Sequence, residues 1–199
     1  MKDESSLVIQ AQHGSEEAFT ALVETYQTHV YNLCFRMLGE AESAEDAAQE
    51  TFLRAFQHLQ RYDQGRPFAT WLLSIAAHYC IDRLRRRRFS FTSTEEDEEE
   101  NGVELADPAA PNPELETVRQ EQREQMQVFL QKLSPVDRAA IVLRYWNDCS
   151  EVEIARTLHL TVSAVKSRLH RARRELGGFW QEEGNRSNRA RRPHESPAF

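Results

Sequence analysis

The segment at residues 150–176, SEVEIARTLHLTVSAVKSRLHRARREL, constrains the fold most, because it predicts two helices joined by a two-residue link. Ser150 and Thr161 are favourable N-caps, and apolar residues follow each of them at helical spacing. The second helix packs one face and presents donors and cations on the other, namely Ser163, Lys166, Ser167, His170, Arg171 and Arg174. These groups suit phosphates and the acceptors of the major groove. The segment therefore predicts a DNA-binding helix-turn-helix, with an ordinary amphipathic hairpin as the alternative.

Composition limits the remaining possibilities. The 199 residues, 40% of them hydrophobic and 29% charged, suit two small domains. With only seven glycines, seven prolines and no alternating strand pattern, the chain is expected to be all-α. It shows no signal peptide and no apolar stretch near the roughly 20 residues of a membrane span, which predicts a cytoplasmic protein without membrane insertion.

The three cysteines, Cys34, Cys80 and Cys149, are far apart and form no C-x-x-C pair. This spacing favours buried free thiols over a metal site or a redox switch. No metal and no cofactor are predicted.

Charge is strongly segregated along the chain, although the net charge is only −7. Arginines cluster at 83–88, in the second helix of the helix-turn-helix, and at 186–192, whereas Glu95–Glu100 is an acidic run followed by prolines. Such a run cannot bury enough apolar surface to order itself, so residues 91–113 are predicted to be a disordered acidic linker. It would separate a domain at 1–90 from one at 114–178, with Gly177-Gly178 ending the last helix and a basic tail at 179–199 expected to be disordered. At the start of that tail, Phe179 and Trp180 are candidates for packing back on the domain.

The linker and the tail each allow a functional hypothesis. Glu95–Glu100 is near enough to the arginines at 85–88 to shield them from nonspecific DNA; a solubilising spacer is the alternative. The basic tail would add nonspecific DNA affinity.

The N-terminal domain is predicted as consecutive helices. Ser15 caps the first, which Gly39 ends, and Ser43 opens the second. The second is expected to face inward with Ala44, Ala48, Phe52, Ala55 and Leu59. Its outer face carries Asp46, Gln49, Glu50 and Leu53, hereafter the docking stripe. A leucine in an acidic stripe suggests a contact surface, and a solvated face with an incidental leucine is the alternative.

A third long helix is expected from Phe68 to Arg88, after a turn at 62–67. Trp71, Ser74, His78 and Arg85 share one side of it, a mixture that suits unstacked single-stranded bases. For Trp71 taken alone, core packing is favoured over base stacking, because large aromatic side chains dominate small cores. Two further helices are predicted to support the helix-turn-helix in the C-terminal domain. One spans Glu114–Leu133, and the other starts at the cap formed by Ser134, Pro135 and Asp137.

Taken together, the motifs AEDAAQETFLRAF, FATWLLSIA, IDRLRRRR, LSPVDRAAIVLRYW, SEVEIA and TVSAVKSRLHRARREL resemble bacterial sigma factors of the sigma-70 family, of the extracytoplasmic-function type. The resemblance covers residues 7–90 and 114–178. It implies that the docking stripe, with Phe52 and Phe56 supporting its helix, binds the clamp helices of the beta-prime subunit of RNA polymerase core.

The resemblance also implies two DNA-reading regions. The loop at 60–68 and the helix at 71–88 would capture and hold the minus-10 element, through Asp63, Gln64, Arg66, Trp71, His78, Arg85 and Arg86. Lys166, Ser167, His170 and Arg171 would read or grip the minus-35 element. His78 departs from the family's common asparagine, and His170 from a larger apolar or aromatic residue.

The function implied is a non-enzymatic sigma factor that joins core polymerase, reads promoter DNA and helps open it, with an anti-sigma factor as a possible further partner. The sequence contains no nucleophile beside a base and no glycine-rich phosphate loop. A stand-alone helix-turn-helix regulator is the alternative, and an anti-sigma-like adaptor is a third class that leaves both arginine clusters unexplained.

Overall fold

The computed structural model describes residues 4–91 and 113–190, which form eight α-helices and one short 3-10 turn. The helices are α1 (Glu4–Gln12), α2 (Glu16–Leu38), α3 (Ala41–His58), α4 (Phe68–Phe91), α5 (Pro113–Lys132), α6 (Pro135–Tyr145), α7 (Glu151–Thr157) and α8 (Val162–Ala190). The all-α class and the two helical domains are confirmed. The predicted linker and the end of the tail lie outside the described residues, and the domain boundaries stay a prediction.

In the N-terminal half, α2 packs against α1, α3 and α4. Its ends follow the sequence signals: the Ser15 hydroxyl accepts from the Ala18 amide, and Gly39 adopts the left-handed conformation with φ 87°. The short α1 was not predicted, although Leu7, Val8 and Ala11 are buried. These three residues have helical spacing, but the exposed Ile9 extends them into a consecutive apolar run, Leu7-Val8-Ile9, which weakens the amphipathic pattern.

Helix α3 begins at Ala41 rather than at Ser43, so the predicted start was wrong. The Ser43 hydroxyl donates to the Glu40 carboxylate and accepts from Arg83, and therefore caps no helix. The inward face is also wider than predicted: Ala47 and Thr51 are fully buried, whereas Ala48 and Phe52 are only partly buried.

All three cysteines are free and buried, as predicted. A hydrogen bond with Cys80, together with burial, raises the pKa of Cys34, and burial raises the pKa of Cys149 to about 11. Both effects favour the thiol over the nucleophilic thiolate. Within residues 4–91 and 113–190 no His, Cys, Asp and Glu side chains group as metal ligands, and none of the helices there is long and apolar enough to cross a membrane.

In the C-terminal half, Ser134 caps α6 with Pro135 in its first turn, and Ser150 forms a capping box with Glu153 at the start of α7. Ile154, Ala155 and Leu158 are buried as predicted.

Helix α8 does not end at Gly177-Gly178, so the predicted stop was wrong, as was the disordered tail over residues 179–190. Phe179 and Trp180 lie with their ring centroids 5.9 and 5.8 Å from that of Phe129 on α5. This packing offsets the roughly 1 kcal/mol that each glycine costs a helix.

The two halves pack against each other through the end of α2. Carbonyl oxygens of its last turns accept from the second half: those of Phe35 and Arg36 from Gln127, and that of Met37 from Arg138. The Arg36 guanidinium also lies 4.2 Å from the ring centroid of Trp146. Helix-end carbonyls are thus satisfied across the contact.

The capping box of α7 gives a pH-dependent contribution to stability. Hydrogen bonds from Ser150 hold the pKa of Glu153 below its usual value. A carboxyl group whose pKa is lower when folded adds stability above its unfolded pKa, about 4.3, and that stability is lost as pH falls through the folded pKa. Ser150→Ala should therefore cost about 1 kcal/mol in urea unfolding at pH 7, and less as the pH is lowered.

Thr161→Ala is the matched control, because Thr161 caps α8 by accepting from the Ala164 amide without a carboxylate. Its cost should not vary with pH. Equal pH dependence in the two variants would contradict the role given to Glu153.

Candidate nucleic-acid and protein interfaces

The helix-turn-helix consists of α7, a tight link and α8. His159, in the link, has a positive φ of 53° that turns the chain sharply. Val165, Leu169 and Ala172 are buried on the packed face of α8. The opposite face is exposed at every predicted position, and we call these residues the recognition face: Ser163, Lys166, Ser167, His170, Arg171 and Arg174.

Carboxylates of neighbouring helices pair with the cations of α8. The Glu151 carboxylate is 3.7 Å from Lys166, and Asp137 is 2.8 Å from Arg168 and 3.8 Å from Arg171. Sequence reasoning missed Arg168, which lies beside the recognition face with its side chain 30% exposed. No local pattern marked it, because the partner that orients it, Asp137, lies 31 residues earlier in the chain.

The second predicted DNA-reading region begins in the loop before α4. The Asp63 carboxylate accepts from the Gly65 amide, and Gln64 donates to Gln12 on α1. Arg66 is exposed and lies 3.9 Å from Asp63. The loop thus presents Asp63, Gln64 and Arg66 on a folded turn.

Trp71 and His78, on α4, are both partly buried, and for Trp71 this agrees with the packing role that the sequence favoured. Trp71 is partly buried, with its ring centroid 5.0 Å from that of Tyr62. The His78 ring lies 4.9 Å from that of His159, and Thr70 donates to Glu153 at 3.4 Å. Helix α7 therefore lies against this side of α4.

The arginines at the end of α4 are spread around the helix. Arg85 and Arg86 are exposed, and Arg85 pairs with Asp82 at 3.9 Å. Arg83 instead reaches α3, where it lies 3.7 Å from Asp46. Only part of the cluster is thus directed away from the body of the protein.

The docking stripe is accessible along α3. Asp46 and Gln49 are exposed, Glu50 is half-buried and pairs with Arg54 at 2.6 Å, and Leu53 is 51% exposed. Phe56 was expected to support the helix, but it is 53% exposed and extends the apolar end of the stripe. It follows Leu53 at i+3.

A groove of about 440 Å³ runs beside the docking stripe between α2 and α3. Its lining combines apolar and polar side chains: Val23, Gln27, Thr28, Tyr31, Glu45, Ala48, Gln49 and Phe52. Gln49 belongs to both features, so the groove and the stripe form a continuous surface.

Two family models match the chain. Sigma-70 region 2 matches residues 22–90, and Sigma-70 region 4 matches residues 123–176. These ranges contain the docking stripe with the α4 region and the helix-turn-helix, respectively.

Known relatives match over most of the chain. It is 35% identical over 170 residues to the ECF RNA polymerase sigma factor SigW of Bacillus subtilis, covering 84% of this chain and 91% of SigW. It is 36% identical over 159 residues to the ECF RNA polymerase sigma factor SigE of Mycolicibacterium smegmatis, covering 79% of this chain and 60% of SigE. The fold is similar to that of CnrH in complex with the cytosolic domain of CnrY, with TM-score 0.66, 27% identity, and coverage of 90% of this chain and 99% of CnrH.

Proposed function

This chain belongs to the sigma-70 family of RNA polymerase sigma factors, in its extracytoplasmic-function group. From that premise we propose which half of the chain binds polymerase and which promoter element each half binds. It is a sigma factor that directs promoter-specific transcription with RNA polymerase. The C-terminal half reads the minus-35 element, and the N-terminal half docks on polymerase and holds the opened minus-10 element.

The recognition face of α8 is the observation that carries this proposal. Its polar and cationic residues are all exposed, while the packed face of the same helix is buried. Capped ends and a tight turn fix the helix on α6 and α7, so its first turns can enter a major groove.

The N-terminal half supplies the other two contacts. The docking stripe, extended by Phe56, combines the exposed Asp46 and the half-buried Glu50 with two exposed apolar side chains. This combination suits a protein surface carrying cations and an apolar pocket. Asp63, Gln64 and Arg66 on the loop, and Trp71, His78, Arg85 and Arg86 on α4, offer hydrogen-bonding, stacking and phosphate-binding groups for one DNA strand.

Use of both DNA-reading regions on one promoter requires the halves to separate. Elements centred 35 and 10 base pairs upstream are about 25 base pairs apart, or about 85 Å at roughly 3.4 Å per pair. In the structure, α7 instead lies against α4 beside Trp71 and His78. We infer that polymerase holds the halves apart, which raises the effective concentration of the second element once the first is bound.

The remaining features of the proposal follow from the family. Sigma factors are generally non-enzymatic, and this chain would act in the cytoplasm, where its polymerase is. CnrH was solved with the cytosolic domain of CnrY, and a cytosolic partner of that kind would suit the closed arrangement seen here.

Run-off transcription with purified core polymerase tests the function. A library of promoter fragments should yield transcripts from a defined subset only when both core and this chain are present. Footprints on the same DNA by the chain alone would instead indicate a stand-alone regulator and contradict the proposal.

Lys166→Ala tests base reading by the recognition face. Lys166 is 63% exposed and paired only loosely with Glu151, so it can reorient toward a base. Loss of a base contact should cost about 1–3 kcal/mol in holoenzyme binding and relax selectivity at one position of the upstream element. A uniform loss across all elements, with a salt slope lower by about 1, would assign Lys166 to phosphate instead.

A further inference from the structure

The Asp137 carboxylate accepts a hydrogen bond from Arg168 and lies within ion-pair distance of Arg171, and we propose that it is a positioning residue for a phosphate-binding pair formed by these two arginines of α8. The proposal deepens the minus-35 role given above and rests on it. The pair would grip one strand of the upstream element without reading its bases, which leaves base selection to the other residues of the recognition face.

The Asp137 carboxylate is fixed from its own helix. It lies in the first turn of α6, where its Oδ2 accepts from the Ser134 hydroxyl at 2.7 Å while its amide donates to the Ser134 Oγ at 3.3 Å. Its side chain is only 10% exposed. A carboxylate held in this way cannot swing to follow a mobile arginine, so the arginines must adjust to it.

The two arginines converge on the other carboxylate oxygen. Arg168 Nη1 donates to Asp137 Oδ1 at 2.8 Å, and Arg171 Nη2 lies 3.8 Å from the same atom. Their side chains are 30% and 56% exposed, so the pair runs from a half-buried to an open position. A guanidinium has five N–H donors in a planar fork, and a single contact with Asp137 leaves the fork able to bind a phosphate.

The ion pair of Lys166 differs from that of Arg168 in both its partner and its geometry. Its partner Glu151 has a side chain 37% exposed and lies 3.7 Å away. A lysine ammonium is also a point charge on a flexible stem, whereas an arginine fork binds in a fixed orientation. Lys166 is therefore an adaptable cation, whereas Arg168, which donates to Asp137 at 2.8 Å, is an oriented one. Such a difference is expected when some contacts read bases and others fix the helix on the backbone.

The position of the pair also favours phosphate over bases. Arg168 is one helical turn from the buried Val165 and Ala172, and its side chain is 30% exposed, so it lies at the border between the packed and exposed faces of α8. Side chains at the border of a helix lying in the major groove point toward the groove wall, where the sugar-phosphate backbone runs. Preorganised arginines at this site lose little freedom when phosphate binds.

Asp137→Asn tests the proposal, because a positioning role and simple charge repulsion predict opposite changes in DNA affinity. A carboxylate near DNA repels phosphates, so its neutralisation would tighten binding if it did nothing else. If it positions the arginines, holoenzyme should bind a duplex carrying the upstream element about 5- to 10-fold more weakly, and the slope of log affinity against log salt should fall by about 1. Tighter or unchanged binding would overturn the proposal.

Two further variants separate positioning from a structural role. Arg168→Lys keeps the charge but removes the fork, and it should reproduce the weaker binding of Asp137→Asn. Glu151→Gln is the matched control, because it removes a carboxylate that is not fixed in this way, and its binding should be unchanged or tighter. Lower thermal stability of Asp137→Asn with an unaltered salt slope would mark Asp137 as merely structural and contradict the proposal.

The measurement also separates this inference from the function on which it rests. Parent holoenzyme must first distinguish an upstream-element duplex from a scrambled one of equal length. If it does not, the minus-35 role fails; if it does and Asp137→Asn behaves as the parent, only the positioning role fails.

Discussion

Reversing the charges of the docking stripe and truncating its leucine, in Asp46→Lys, Glu50→Lys and Leu53→Ala together, should weaken binding to core RNA polymerase by about 100-fold or more. Central interface residues each contribute about 2 kcal/mol or more when they are removed, and two of these changes also add repulsion. The three side chains are exposed or half-buried, so the fold should survive. Fluorescence anisotropy of labelled chain titrated with core measures the loss.

The chain offers a matched control on α5. Glu121, Glu124 and Val128 are exposed at nearly the same helical spacing, with Val128 53% exposed. Glu121→Lys, Glu124→Lys and Val128→Ala make the same change in charge and apolar area away from α3. This control should bind core as the parent does, and equal losses in the two triple variants would mean that net charge, rather than the docking stripe, governs the interaction.

The largest effect on stability is expected for Arg138→Met. Arg138 is 4% exposed and pairs with no carboxylate of residues 4–91 or 113–190. Its guanidinium donates to the carbonyls of Met37, Gln131 and Leu133, and burial lowers its pKa to about 10. Methionine fills the space but leaves these carbonyls unpaired, which should cost about 3–4 kcal/mol in urea unfolding.

Arg144→Met is the control on the same helix. Arg144 is exposed and donates to one carbonyl, that of Cys149, so its loss should cost less than about 1 kcal/mol. A gain in stability for Arg138→Met would show instead that desolvation of the buried cation outweighs its hydrogen bonds, a result known for some buried charges.

The sequence alone predicted the helix ends and the exposed faces correctly where a capping residue and an apolar stripe indicated the same helix. Helix α2 starts after Ser15 and ends before Gly39, and α6 starts after Ser134 with Pro135 in its first turn. The sequence predicts these ends because the side chain or backbone of each cap pairs with helix-end groups that have no partner within the helix. The exposure of the recognition face and of the docking stripe followed from helical spacing in the same way.

Sequence reasoning failed where distant contacts decided the outcome. Packing of Phe179 and Trp180 on Phe129 carries α8 through two glycines that would end an isolated helix. The placement of His78 beside His159 depends on how the halves pack, and no local pattern encodes that arrangement. Arg168 was missed because its role depends on Asp137, 31 residues earlier.

The continuity of α8 has a mechanical consequence. Its 29 residues would span about 44 Å at about 1.5 Å per residue. They carry the recognition face in the first half of the helix and, just past its middle, Phe179 and Trp180, which pack on α5. Gly177 and Gly178 lie between them, and a Cβ added at either position would meet no neighbouring atom. Amide hydrogen exchange should therefore be slow in the buried part of α8 up to Ala172 and faster at the two glycines. The glycines thus make a locally flexible point within a continuous helix. Replacing both glycines by alanine would make α8 more rigid at this point. A displacement of the recognition face on bent DNA would then be transmitted to the contact of Phe179 and Trp180 with α5.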